Sequence, residues 1–114
     1  MTGSVWRIRL SDAAEADFIH ILADTREMFG PNQAAIYRAT LVNALAAISV
    51  APDTLGSRSR DDILPGLRSL HVARQGRRGR HLILYREQPD HMLEIIRILH
   101  DAMDLARHIP TDGE

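Results

Sequence analysis

The chain has no cysteine, no lysine and few aromatic residues, which are Trp6, Phe18, Phe29, Tyr37 and Tyr85. Without cysteine there is no disulfide framework, no Cys-ligated zinc site and no thiol nucleophile, so redox chemistry is excluded and an intracellular, cytoplasmic protein is expected. No apolar stretch approaches the roughly 18 residues needed to span a bilayer, and the N-terminus lacks the apolar run of a secretion signal. No membrane partner is expected. All 14 basic residues are arginine. Planar, bidentate guanidinium groups suit phosphate or carboxylate recognition, but a GC-rich genome produces the same usage.

What the chain does have is segregated charge. The formal net charge of -1 hides a basic stretch from Ser57 to Arg86, where eight arginines face only Asp61 and Asp62. Residues 1 to 56 and 87 to 114 are both net acidic. Such asymmetry predicts a surface that meets something anionic, either nucleic acid or an acidic protein segment. A chain of 114 residues is expected to form one domain, 1–114, with a real core but no room for a second.

Val5 to Leu10 alternates, with Trp6, Ile8 and Leu10 on one face, and predicts a half-buried strand. Ser11 and Asp12 then offer N-caps, with Glu15 placed for a capping box, and the apolar spacing predicts a helix from about Asp12 to Met28. Phe29-Gly30-Pro31 breaks it, because glycine suits a helix end and proline suits the first position of a new helix. The stripe Ala34, Tyr37, Leu41, Ala44, Leu45, Ile48 predicts a second helix ending at Pro52, and so short a turn predicts an antiparallel helical hairpin. Residues 52 to 66 read as a surface connection. Three strands are expected next, over Leu67–Arg74, Arg80–Arg86 and Met92–His100, with a glycine-containing hairpin loop at 75–79 and a turn at Gln88-Pro89-Asp90. Leu82-Ile83-Leu84-Tyr85 and Ile95-Ile96 are apolar on both faces and predict central strands, which leaves the first of the three as the expected edge. Asp101 to His108 predicts a short last helix, and Pro110 to Glu114 a frayed end. The predicted fold class is α+β, with an N-terminal strand and a helical hairpin packed on a mainly antiparallel sheet of about four strands.

No glycine-rich phosphate loop, nucleophile elbow, zinc-protease helix or calcium loop is present, and no cofactor is expected. His20 with Asp24, and His100 with Asp104, have the four-residue spacing of metal ligands on a helix, but surface hydrogen bonding explains that spacing as well, and no metal is predicted. Metal-free phosphodiester transfer needs a proton acceptor, a proton donor and cations to hold charge on phosphate. Arg68, Arg80, His81, Tyr85 and His100 are the right residue types on neighbouring strands. Alternation sets Arg80 and His81 on opposite sides unless the strand starts later or twists, whereas His81 and Tyr85 share a face. The structural alternatives are a tyrosine in the core, a histidine at a strand end and a solvated arginine face. A third use of the basic strands is docking: an edge strand flanked by arginines accepts an added strand from an acidic partner, and the helical hairpin accepts an amphipathic helix.

The succession Leu10-Ser-Asp-Ala-Ala-Glu-Ala-Asp17, Phe29-Gly30-Pro31 with Ala35-Ile-Tyr37, Leu64-Pro-Gly-Leu-Arg-Ser-Leu70, His81-Leu-Ile-Leu-Tyr-Arg86 and Ile95-Ile-Arg-Ile-Leu-His-Asp-Ala-Met-Asp104 resembles the ParE branch of the RelE/ParE toxin superfamily, over about Arg7 to His108. The resemblance implies the toxin half of a type II toxin-antitoxin pair, in a hetero-oligomer with a ParD-like antitoxin whose C-terminal region wraps and neutralises it. It implies inhibition of DNA gyrase without a chemical step, with Arg68, Arg74, Arg77, Arg78, Arg80 and Arg86 as the expected partner-binding residues. RelE-type relatives on the same fold cut messenger RNA in the ribosome, and fold alone does not choose between the two. The tail Leu105-Ala-Arg-His-Ile109 has no tyrosine, which leans toward ParE, while His100, Arg107 and His108 keep the ribonuclease reading as the alternative. Within the run at 100 to 104, Met103 is assigned to packing and Asp104 to capping or an ion pair.

Overall fold

A computed structural model describes residues 5–110. It contains β1 (Arg7–Leu10), α1 (Asp12–Phe29), α2 (Pro31–Val50), β2 (Arg58–Ser59), β3 (Leu67–His71), β4 (His81–Gln88), β5 (Met92–His100) and a closing 3-10 turn, Leu105–His108. The five strands form one sheet in the order β1-β5-β4-β3-β2, with β1 parallel to β5 and the other pairs antiparallel. The frayed end expected at Pro110 to Glu114 falls almost wholly outside the described residues.

Gly30 alone separates the two helices. Its φ of 93° suits glycine, its N–H donates to the Arg26 carbonyl, and Pro31 starts α2 without needing a donor. The helices cover one face of the sheet. Leu41, Ala44 and Ile48 of α2 meet Leu70, Ile83, Leu93, Ile95 and Ile98, with Trp6, Ile8 and Leu10 packed at the side. Burying a side chain of this size is worth about 2 kcal/mol. The opposite face buries Leu67, Leu84, Ile96 and Leu99 beneath Leu64 and Ile109, so the expected apolar-on-both-faces central strands are β4 and β5.

Four boundaries differ from expectation. The strand Leu67–His71 is not the edge, because the two-residue β2 pairs outside it through Arg58↔Ser69 and Ser59↔Arg68; two residues are too few to show a period. The same strand stops at His71 rather than Arg74: Val72 still donates to the His81 carbonyl, but the Arg74 N–H turns back to the Val72 carbonyl instead of continuing the ladder. The next strand starts at His81 rather than Arg80, because the Arg80 N–H donates to the Tyr37 hydroxyl at 3.1 Å. Residues 101–104 form turns, so the last helix is a single 3-10 turn, with Met103 45% exposed instead of packed and Asp104 4.0 Å from Arg107.

One end of the hairpin is fastened to the sheet. β1 ends at Leu10, leaving the outer edge of β5 unpaired beyond Ile95. The Ser11 hydroxyl caps α1 by accepting the Ala14 N–H and donates to the Ile96 carbonyl at 2.8 Å. The Asp17 carboxylate accepts the Ile98 N–H and holds Arg97 bidentately at 2.7 and 2.9 Å. At the far end of α2, Ser49 and Trp6 exchange two hydrogen bonds. Burial follows this fastening: α1 buries only Ala14, near its start, and α2 buries Thr40, Leu41, Ala44 and Ile48, all from its midpoint onward. No residue from Glu15 to Ala39 is fully buried.

Candidate partner-binding groove

The hairpin's turn end therefore stands away from the sheet, and the space beneath it is a groove of about 1130 Å³. One wall is apolar, made by Ile21, Met28, Phe29 and Ile36 of the helices; Met28 and Phe29 are 72% and 66% exposed. The other wall is the β3–β4 loop with Arg77, Arg78 and Arg80, and its floor is Tyr37, His81 and His100. Asp24 is the acidic residue among those lining it.

The floor is built from three elements, α2, β4 and β5. Tyr37 sits in the apolar stripe of α2, and its polar tip needs a partner when half-buried; its hydroxyl shares a 2.6 Å hydrogen bond with His81 Nδ1 and accepts the Arg80 N–H. Gly79 lies against it, and a Cβ there would fall 2.9 Å from the tyrosine oxygen and 2.5 Å from Val72 Cγ2. His81 and His100 are directly paired across β4 and β5, their rings 5.5 Å apart and edge to face. Behind them Asp101 bonds His71 at 2.9 Å and lies 3.5 and 3.6 Å from His100 and Arg80.

Burial, aided by the neighbouring His100, pushes the His81 imidazole below its usual value and keeps it neutral near pH 7. Burial also raises the Tyr37 phenol, so it remains a hydrogen-bond donor. The His71 hydrogen bond, with Arg80 adding to it, holds Asp101 below the ordinary carboxylate range. Tyr37 and His81 thus satisfy each other, and the guanidinium groups of Arg77, Arg78 and Arg80 are what this end of the groove offers an anion.

Of the residues proposed for phosphodiester chemistry, the late start of β4 brings Arg80 and His81 together with His100 on the groove. Tyr85 and Arg68 are elsewhere. Tyr85 is fully buried and donates to the Pro52 carbonyl, and burial raises its pKa. Arg68 bonds Ser57 at 2.6 Å, with its Nε buried and without a hydrogen-bond partner. The six expected partner-binding arginines likewise divide: Arg77, Arg78 and Arg80 line the groove, whereas Arg68 and Arg86 line a smaller recess of about 440 Å³ at the other end of β3 and β4. Arg74 belongs to neither and has a buried Nε without a hydrogen-bond partner. Tyr37, His71 and Asp101 were not among the expected functional residues; only the need of a tyrosine in a helix stripe for a polar partner signals the first. Among the described residues, no group of three or more His, Asp or Glu is arranged to hold a metal ion, and no helix is long and apolar enough to cross a membrane.

A helical hairpin fastened at one end to a five-stranded sheet, and open at the other over an apolar and cationic groove, defines a small α+β interaction domain. The family model for the ParE toxin of the type II toxin-antitoxin system parDE matches residues 8–105. The chain is 31% identical over 103 residues to Toxin ParE1 from two strains of Mycobacterium tuberculosis, covering 90% of this chain and 97% of the relative. Its fold is similar to that of the chromosomal ParDE toxin-antitoxin system from P. aeruginosa, with a TM-score of 0.67, 20% identity and coverage of 84% of this chain and 96% of that one. It is also similar to the toxin-antitoxin complex RelBE2 from Mycobacterium tuberculosis, with a TM-score of 0.55, 24% identity and coverage of 84% and 98%. The chain belongs to the ParE toxin family and is the toxin component of a type II toxin-antitoxin system.

Proposed function

We propose that this toxin inhibits DNA gyrase in the cytoplasm and is neutralised by a ParD-like antitoxin whose acidic, amphipathic C-terminal region lies in the groove. The observation that carries the antitoxin half is the groove itself. Its wall of Ile21, Met28, Phe29 and Ile36 faces Arg77, Arg78 and Arg80, which matches the two sides of an acidic amphipathic helix. Gyrase as the target follows from the family resemblance, and the distributed arginines support it as a surface that binds without a chemical step. Purified gyrase acting on plasmid tests it. Inhibited supercoiling with accumulated linear DNA is expected, and no effect from folded toxin would overturn the reading.

A second reading, a ribosome-dependent mRNA endoribonuclease, is favoured by one observation: Arg80, His81 and His100 line the same groove as Tyr37. The two differ in how they fail. A binding patch spreads its energy, so single arginine changes weaken toxicity gradually. A catalytic group removed alone abolishes nearly all of it.

A further inference from the structure

We propose that Tyr37, His81 and the Arg80 amide form an acid-sensitive latch, which ties α2 to the β3–β4 loop and so sets the width of the groove. The apolar wall belongs to the helices and the cationic wall to the loop, so the distance between them depends on what joins the two. Tyr37 joins them. It comes from the first half of α2, where no residue before Thr40 is fully buried, and its hydroxyl reaches both the Arg80 N–H at 3.1 Å and His81 Nδ1 at 2.6 Å. Packing closes the same contact. A Cβ on Gly79 would fall 3.1 Å from Tyr37 Cε1 as well as 2.9 Å from its oxygen, so glycine is what lets the loop lie this close to the ring. Arg77 adds a longer bond, 3.4 Å, to Thr40 of the same helix.

One arrangement of the latch uses every proton. The Arg80 N–H donates to the tyrosine oxygen, the tyrosine O–H donates to a bare Nδ1, and the proton of neutral His81 sits on Nε2. Protonating His81 puts a hydrogen on Nδ1 as well. That nitrogen then stops accepting, and the phenol proton is left without its partner in a half-buried place. Above its pKa His81 therefore holds the latch closed, and below it the latch opens.

The surroundings of His81 decide where that happens. Facing it are Tyr37 from α2, Asp17 from α1, His71 from β3, and His100 and Asp101 at and just after the end of β5, with Arg80 beside it in the chain. Burial, with His100 and His71 adding to it, outweighs the two carboxylates and lowers the His81 pKa. The latch is closed at neutral pH and opens as pH falls below about 6.5 and through the depressed value. Its effect on the antitoxin rests on the groove reading above, whereas the latch itself does not. A loop held at a fixed distance from the helices is a preformed site, and freeing it adds the cost of ordering the loop to binding.

The test is nitrogen-15 NMR of the free, full chain between pH 8 and pH 5. At pH 8 the His81 Nδ1 should resonate as an unprotonated, hydrogen-bonded nitrogen. Acidification should protonate it and move the amide resonances of residues 73–80 along the same titration curve. Tyr37→Phe keeps the ring and removes the hydroxyl, and should show the displaced loop resonances already at pH 8. Gly79→Ala, which pushes the loop off the ring, should do likewise and takes its place if Tyr37→Phe fails to fold by circular dichroism. His81→Asn, whose amide oxygen can still accept the phenol proton, should hold the closed positions down to pH 5. A protonated Nδ1 at pH 8, loop resonances that stay at the parent's positions in Tyr37→Phe and Gly79→Ala, or a full titration of the loop in His81→Asn would each overturn the proposal. Calorimetry with the antitoxin at pH 8 separates the latch from the groove reading, since Tyr37→Phe should lower affinity about fivefold by loosening the loop. Unchanged affinity beside displaced loop resonances would support the latch and overturn the groove as the antitoxin's site.

Discussion

The two ends of the helical hairpin use the same kinds of residue to opposite purposes. At the fastened end, Arg97 is 24% exposed in its side chain and is held by both oxygens of Asp17, which also closes the open edge of β5. At the open end, Arg80 is 74% exposed and lies 3.6 Å from Asp101, while Arg77 reaches Thr40 at 3.4 Å. Arginine inside the corner is part of the fold; arginine on the groove is spare for a ligand. The apolar residues divide in the same way, with Leu41 and Ile48 fully buried and Met28, Phe29 and Ile36 exposed. Stability is concentrated at one end of α1 and α2 and binding capacity at the other.

The largest effect that would break this division is at the corner. Arg97→Ala leaves the Asp17 carboxylate shielded from water without its cation, and should cost about 3 kcal/mol, lowering Tm by on the order of 10 °C. Thermal unfolding by circular dichroism measures this; a fall of under 2 °C would show that the corner is not what fastens the hairpin. Phe29→Ala should do the reverse. Unfolding stays within about 0.5 kcal/mol of the parent, while antitoxin affinity, measured by calorimetry, falls by about 2 kcal/mol, some thirtyfold, as expected when an aromatic anchor is lost. Smaller still, Arg77→Ala or Arg78→Ala alone should weaken antitoxin binding by about 0.5–1 kcal/mol, with growth arrest reduced but not abolished.

The smallest effect is the acid response of the groove floor. The His81 pKa is depressed in the folded chain, so the unfolded chain takes up a proton first as pH falls through about 6.5. Stability contributed by neutral His81 is full above that pH and is lost on descending toward the folded value. Asp101, also depressed, adds a second loss only below the ordinary carboxylate range. Unfolding free energies between pH 8 and 5 should therefore decline, and His81→Asn, which can keep an acceptor for Tyr37, should flatten the decline without altering the later acid limb. An unchanged slope in that variant would remove His81 from the account.

The fastened end was partly legible in the sequence and the open end less so. Local signals carried the hairpin, because Ser11, Gly30 and Pro31 act within a few residues of themselves, and the apolar stripe of α2 marked its buried side. Doubly apolar runs placed β4 and β5 at the centre. Pairing across the chain was hidden: Asp17 and Arg97 are 80 positions apart, and nothing in the two runs that contain them says that they pair. The groove floor depended on small displacements of strand ends. The Arg74 amide turned back on Val72, Tyr37 took the amide of Arg80, and the consequent start of β4 at His81 brought Arg80 and His81 to one place. The basic stretch from Ser57 to Arg86 read as a single patch, yet folding β3 back on β4 sends Arg68 and Arg86 to one end and Arg77, Arg78 and Arg80 to the other.

The central claim is that partners meet the open end of the hairpin. Hydrogen exchange of the free toxin and of its complex with antitoxin tests that claim most directly. Amides of residues 19–39 and 73–80 should exchange early in the free chain and gain protection in the complex, while those of residues 40–48 and of β4 and β5 are already slow. Protection gained instead at β1 and the start of α1, with 19–39 unchanged, would contradict the account.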